Sequence, residues 1–183
     1  MESKEHARAG TGCIVWLTGL SASGKTTLAN EVARALSERS VSHTVLDGDQ
    51  LRATLSRDLG FTRADREENV RRIFAFALTE AKKSTVAIVA AISPYRSVRD
   101  HLRSFSPVPF FEVFVDAPLA VCEQRDPKGL YQRARAGELK GFTGIDDPYE
   151  PPTWPDVHCR THTETIAESC ARVLNVLPLS LTR

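Results

Sequence analysis

Residues 19–26 read Gly-Leu-Ser-Ala-Ser-Gly-Lys-Thr, a complete Gly-x-x-x-x-Gly-Lys-Ser/Thr phosphate-binding loop. Gly19 and Gly24 let the backbone turn tightly and bring its N–H groups up to phosphate oxygens. Between them Leu20, Ser21, Ala22 and Ser23 line the loop. Lys25 supplies a point charge for the β- and γ-phosphates, and Thr26, followed by Thr27, places a hydroxyl where it can ligate Mg²⁺. The flanks agree. Cys13-Ile14-Val15-Trp16-Leu17 is an apolar, strand-like run, and Leu28, Val32, Ala35 and Leu36 recur at helical spacing. A helix is therefore expected to begin at Lys25 with its positive end toward the anion. A strand, a phosphate loop and a helix in this order commit the chain to a layered α/β architecture.

A chain of 183 residues is about one domain and can bury a substantial core without disulfides. Its 24 basic and 23 acidic residues leave a net charge of +1, so no global field points to nucleic acid or to an anionic membrane. No apolar run approaches a membrane span. Residues 1–12 hold no apolar signal core and read as a short mobile arm before a single domain over 13–183. A cytoplasmic protein is expected. Cys13, Cys122 and Cys170 read as small buried hydrophobes. His158, Cys159 and His162 lie close in sequence, but no further ligands follow at zinc spacing.

Strands and helices alternate along the chain. His43 to Leu46 is a short strand ending at Asp47-Gly48-Asp49. Thr62 to Asp65 forms a capping-box pattern opening a long helix with the apolar face Val70, Ile73, Phe74, Ala77, Leu78 and Ala81. Thr85 to Ile92 and Phe110 to Val115 read as buried strands, with a helix over Ser97 to Phe105 between them. Pro118 suits a helix start. Asp126 to Pro152 is polar and punctuated by Gly and Pro, with a short helix near Gln132 to Ala136. Val157 to Arg160 is expected to be the last strand, and Thr161, with Glu164 three residues on, to cap the last helix. The expected fold is thus α/β: a three-layer sandwich of the P-loop, nucleoside-kinase-like kind, with a mainly parallel sheet, helices on both faces and a mobile lid at about 125–152. The phosphate loop, Asp47 to Asp49, Ser93 to Arg96 and Asp116 all follow strand ends, so topology places them on one rim.

Phosphoryl transfer needs phosphates held, charge neutralised and a nucleophile in line. Asp47 and Asp49 can hold Mg²⁺ through water or take a proton from an attacking hydroxyl. Equally, Asp47-Gly48-Asp49 can be a turn followed by a helix cap. Arginine crowds the start of the long helix, where several side chains can pair with Glu67 and Glu68. Residues 125–141 carry Arg125, Lys128, Arg133, Arg135 and Lys140 against Asp126 and Glu138, which suits a lid over anionic ligands or an exposed loop. Phe61 and Phe142 each follow a glycine in a polar loop, where stacking on a base competes with core packing. No Asn-Lys dipeptide is present, which favours a kinase over a guanine-specific switch.

Taken in order, these motifs resemble those of the adenylyl-sulfate (APS) kinases. The blocks are Gly-Leu-Ser-Ala-Ser-Gly-Lys-Thr-Thr (19–27), Leu-Asp-Gly-Asp with Arg52 (46–52), Asp-Leu-Gly-Phe-Thr (58–62) and Asp-Arg-Glu-Glu-Asn-Val-Arg-Arg (65–72). Ile-Ser-Pro-Tyr-Arg (92–96), Cys-Glu-Gln-Arg-Asp-Pro-Lys-Gly-Leu-Tyr (122–131) and Lys-Gly-Phe-Thr-Gly-Ile-Asp (140–146) follow. The resemblance implies transfer of the ATP γ-phosphate to the 3′-hydroxyl of APS, giving 3′-phosphoadenosine 5′-phosphosulfate (PAPS) and ADP. It implies Asp49 as base or orienter, and Arg52, Arg66 and Asn69 on the phosphosulfate and ribose. Phe61 and Phe142 would sit about the adenine, with Ile92 and Ser93 beside the acceptor. Arg125 to Tyr131 would form the lid, with Lys128 facing the phosphates. Ser93 matches a serine that some members are reported to phosphorylate, but direct in-line transfer is the simpler expectation. A homodimer is also implied, and at this length no fused sulfurylase domain is expected. Gln50 stands where Asn is usual, Ala53-Thr54 replaces His-Gly, and Lys82-Lys83-Ser84 replaces a small acidic-glycine turn. Two other readings stand beside this one: a P-loop kinase for a nucleoside monophosphate or sugar acid, and a non-catalytic nucleotide sensor.

Overall fold

The computed structural model describes residues 12–83 and 85–178. The arm expected at 1–12 lies, Gly12 apart, outside the described residues, as does Ser84 of the 82–84 departure. In chain order the elements are β1 (Cys13–Thr18), α1 (Lys25–Glu38), β2 (His43–Asp47), α2 (Gly48–Leu55), α3 (Arg63–Ala81), β3 (Val86–Ala90), α4 (Arg96–Phe105), β4 (Phe110–Asp116), α5 (Leu119–Arg125), α6 (Leu130–Arg135), β5 (Val157–Arg160) and α7 (Ile166–Val176).

The sheet order is β2-β3-β1-β4-β5, and every pairing is parallel. The apolar run that reads as one block in the sequence is divided by the pleat. Cys13, Val15 and Leu17 of β1 join Leu28 and Val32 of α1 and Val173 and Leu174 of α7 on one face. Ile14 and Trp16 join Val70, Ile73 and Ala77 of α3 and Val98 and Leu102 of α4 on the other. Both faces are covered, which is why β1 and β3 are buried at every position. Burying each large aliphatic side chain contributes about 1.5–3 kcal/mol. A third, smaller cluster of Ala117, Cys122 and Tyr131, with Leu20 and Phe142 packed against it, lies over the phosphate loop. The segment expected to be a lid therefore has a hydrophobic foot.

The capping box at Thr62 and Asp65 is present. The last helix starts later than expected. Its cap is Thr165, boxed with Glu168, because the Thr161 hydroxyl is engaged elsewhere, donating to the Ser23 carbonyl at 2.6 Å. Pro118 is the cap of α5 and not its first residue. β3 stops at Ala90, before the expected Ile92, since Ser93 takes a left-handed backbone with φ 41°. Cys13, Cys122, Cys159 and Cys170 are buried and free.

Candidate active site

The phosphate loop joins β1 to α1. Gly24 caps the helix with φ 104°, a conformation that disfavours a side chain. At Gly19 a Cβ would lie 2.2 Å from the Val115 carbonyl oxygen, so only glycine allows the loop to lie against β4. Lys25 runs beneath the loop and donates to the Gly19 and Leu20 carbonyls at 3.0 and 2.6 Å. Burial there lowers its pKa to about 8, against the opposing pull of Asp49 and Asp47. The loop is buttressed from outside. Tyr131 donates its hydroxyl to the Ser21 carbonyl at 3.0 Å. Arg125 reaches the Ala22 and Ser23 carbonyls and donates to the Thr161 carbonyl at 2.8 Å. Ser23 is fully buried and its hydroxyl has no partner. Thr26 donates to Asp47 Oδ2 at 3.0 Å, and Thr27 is exposed on α1.

Across from the loop, Asp47 caps α2 by accepting from the Asp49 and Gln50 amides, so the turn-and-cap reading of Asp47-Gly48-Asp49 is observed, and the Asp49 side chain takes no part in the cap. Asp49 is exposed and accepts from Lys128 Nζ at 2.5 Å, linking the acceptor side to the segment after α5. This pair raises the Lys128 pKa. Arg52 donates to the Leu59 carbonyl at 3.2 Å and also to that of Gly60, and its guanidinium lies 4.3 Å from the Phe61 ring centre. Arg66 ties the two aromatic loops together: it donates to the Phe61 carbonyl at 3.1 Å, to Thr143 Oγ1 at 3.0 Å and to the Gly141 carbonyl. Phe61 is 64% exposed. Phe142 is half-buried, edge-on to Tyr131 at 5.0 Å. Asn69, on α3, holds a buried side-chain oxygen without a partner.

The turn after β3 is more enclosed than its place in the sequence suggests. The Ile92 carbonyl accepts from Thr18 Oγ1 at 2.7 Å. Ser93 is 3% exposed, and its hydroxyl accepts from the Trp16 indole at 2.9 Å and donates to the Ala91 carbonyl. That hydroxyl is held in the core, a setting that disagrees with a phosphorylated Ser93. A cavity of about 570 Å³ opens between Leu20, the end of β4 and residues 144–151. Of the expected site residues only Leu20 lines it.

The family model for adenylylsulphate kinase matches residues 11–160. An adenylyl-sulfate kinase of Gloeothece citriformis is 52% identical over 166 residues, covering 91% of this chain and 94% of that protein. The chain belongs to the adenylyl-sulfate kinase family. Among solved structures, a Mycobacterium tuberculosis APS kinase in complex with AMPPNP and APS is 46% identical with a TM-score of 0.85, covering 90% of this chain and 96% of that one. A hexameric APS kinase from Thiobacillus denitrificans is 33% identical with a TM-score of 0.68, covering 91% of this chain and 29% of that one.

Within this family frame, the departures at Gln50, Ala53 and Thr54 lie on α2. Thr54 is exposed and its hydroxyl turns back onto the Gln50 and Leu51 carbonyls, away from Asp49. Sequence reasoning overlooked the residues that hold the site from behind. Thr161 and Tyr131 brace the phosphate loop. Asp147 accepts from the Tyr95 hydroxyl at 3.0 Å and lies 3.7 Å from Arg66. Tyr149 meets Thr18 Oγ1 at 3.0 Å. The Cys-Glu-Gln-Arg to Gly-Leu-Tyr block already contains Tyr131, which is the one signal that pointed at this bracing.

Proposed function

We infer that the chain transfers the γ-phosphoryl group of ATP to the 3′-hydroxyl of APS, giving PAPS and ADP, a step of sulfate activation. One observation carries this reading: Asp49 stands on the same rim as a complete phosphate loop, joined to the opposite segment by Lys128. In this reading Asp49 takes the proton of an attacking hydroxyl as the new O–P bond forms and the γ-phosphorus parts from the ADP oxygen. Lys25 and Lys128 would leave their present acceptors for the β- and γ-phosphate oxygens and neutralise charge there. The Gly19 to Thr27 backbone and Arg125 would hold ATP. Arg52, Arg66 and Asn69 would hold the acceptor, Phe61 and Phe142 its adenine, and Ile92 its edge. Thr26 and Asp47 place two hard oxygens in contact, a donor set that suits Mg²⁺ with retained waters. Thr26 and Asp47 would hold such an ion, which would offset phosphate charge during transfer. Direct in-line transfer fits better than a phosphoserine step, since Ser93 is buried.

Residues 125–140 are the part of the lid we expect to move, because 141–152 are tied down through Arg66, Tyr149 and Glu150. A homodimer remains our proposed assembly, with a hexamer as the rival set by the Thiobacillus relative. Sedimentation velocity separates them, and a monomer would overturn both. No described helix is long and apolar enough to cross a membrane, and we propose a cytoplasmic enzyme with small-molecule partners and no nucleic acid.

The test is ADP release from Mg·ATP with APS, AMP or gluconate as acceptor. Turnover with APS alone supports the reading. ATP binding without APS-dependent ADP overturns it in favour of the sensor, and turnover with AMP or gluconate in favour of another small-molecule kinase.

A further inference from the structure

α4 carries a charge that its neighbours bury. The Arg99 and Glu112 side chains are 1% and 4% exposed. The guanidinium donates from Nε to Glu112 Oε1 at 2.7 Å, and from its two terminal nitrogens to the Ser93 and Glu150 carbonyls, each at 2.6 Å. Its three acceptors come from β4, from the turn after β3 and from the strap that follows Phe142. Burying an ion pair is a poor way to gain stability, since a well-packed apolar pair does as well or better. What the charge adds is direction: planar donors fixed toward three separate pieces of backbone. One of these is Ser93, which holds a left-handed conformation unusual for a non-glycine residue. From Glu150 the order passes back along the strap. The Glu150 amide donates to the Pro94 carbonyl at 2.8 Å, and its carboxylate accepts from the Arg96 amide at 2.8 Å. Asp146 then accepts from the Gly141 and Phe142 amides.

We propose that Arg99, paired with Glu112, is a positioning residue for the acceptor: it fixes the 141–150 strap, and so the place of Phe142, without touching either substrate. The guanidinium meets one expected substrate residue, Ser93, and that only through its carbonyl, so a loss at Arg99 should reach the acceptor through the strap and the 92–93 turn and leave the phosphate loop intact.

Three variants and two readouts test this. Arg99→Lys keeps the charge but cannot span three acceptors. Glu150→Ala removes the strap's bond to the Arg96 amide at a half-buried position. The expected result for Arg99→Lys is a KM for APS raised about tenfold with the KM for ATP within about twofold, and faster hydrogen exchange at the Gly141 and Phe142 amides. Glu150→Ala should show the same split, smaller. Glu112→Gln, which keeps the hydrogen-bond geometry, should stay near wild type in both readouts. Equal changes in the two KM values, or unchanged exchange at 141–142 in whichever variants fold, would overturn the proposal. The kinetic arm rests on the APS reading above, whereas the exchange arm does not. A wild-type protein inactive on APS would therefore defeat that reading and leave exchange to decide this one.

Discussion

Two ion pairs of similar length sit at opposite extremes of exposure. Arg99–Glu112, at 2.7 Å, is closed inside the α4 face of the sheet. Lys128–Asp49, at 2.5 Å, joins side chains that are 59% and 72% exposed. The first is closed off from water, with Arg103 also 4.0 Å from Glu112 Oε2, and defines backbone positions. The second is in water, where such a pair contributes at most about 1 kcal/mol, so phosphate and hydroxyl groups can take it apart. The same chemistry makes a fixture in one region and an exchangeable contact in the other, and the exchangeable one lies where we propose that ligands arrive.

The comparison breaks most sharply at Asp49. Asp49→Asn should lower kcat by roughly 10²–10⁴ while ATP affinity and Tm stay close to wild type, and steady-state kinetics with ATP titration checks this. Equal losses in kcat and ATP affinity would remove its role as base. At the buried pair, Arg99→Met should leave Glu112 uncompensated and cost roughly 3–5 kcal/mol of stability, read by urea denaturation. Phe142→Ala should weaken APS by about 1–3 kcal/mol if the ring stacks on the base, seen as a raised KM for APS. A sugar-acid kinase would be nearly indifferent to the change. Lys128→Met should move stability by less than about 1 kcal/mol while raising the KM for ATP, so urea midpoints and kinetics should diverge.

The smallest effect is in pH. Lys25 loses its proton near pH 8 in the free protein because burial disfavours its charged form. The charge that meets phosphate is therefore present below that pH and lost above it. kcat/KM for ATP should fall as pH rises through about 8, whereas kcat, measured with phosphates in place, should fall later. A kcat/KM flat to pH 9.5 would mean that Lys25 stays protonated at these pH values.

Much of this fold was legible because its signals are periodic. An apolar run of strand length, a glycine-rich loop and a 3.6-residue apolar face need no tertiary knowledge. What stayed hidden is non-local. Thr161 and Thr165 both head a Thr-x-x-Glu pattern, and only the Ser23 carbonyl, far away in the chain, decides which of them is left free to cap α7. Arg99 reads as one more charge on a polar helix, and it is buried because the Pro-rich strap crosses over it. That strap reads as part of a loose lid until Tyr149 and Glu150 are seen to be tied down. At the candidate site the phosphate loop declared itself by spacing. Asp49 and the two phenylalanines remained ambiguous by local pattern, because what sets them apart is the Arg66 bridge and the Lys128 contact, neither of which leaves a local mark.

β1 pairs with β3 and β4, with Cys13 opposite Val86 and Ile14 opposite Phe110. The central strand is thus the first described strand in the chain and gains its second neighbour only with the fourth. Long loops must close before these contacts repay their entropy. A nascent chain cut short before Phe110 carries the whole phosphate loop but a β1 paired on one side only, with its other edge open to solvent. The wall of β4 against which Gly19 packs comes only later in synthesis, so the loop is complete in sequence well before it is complete in structure.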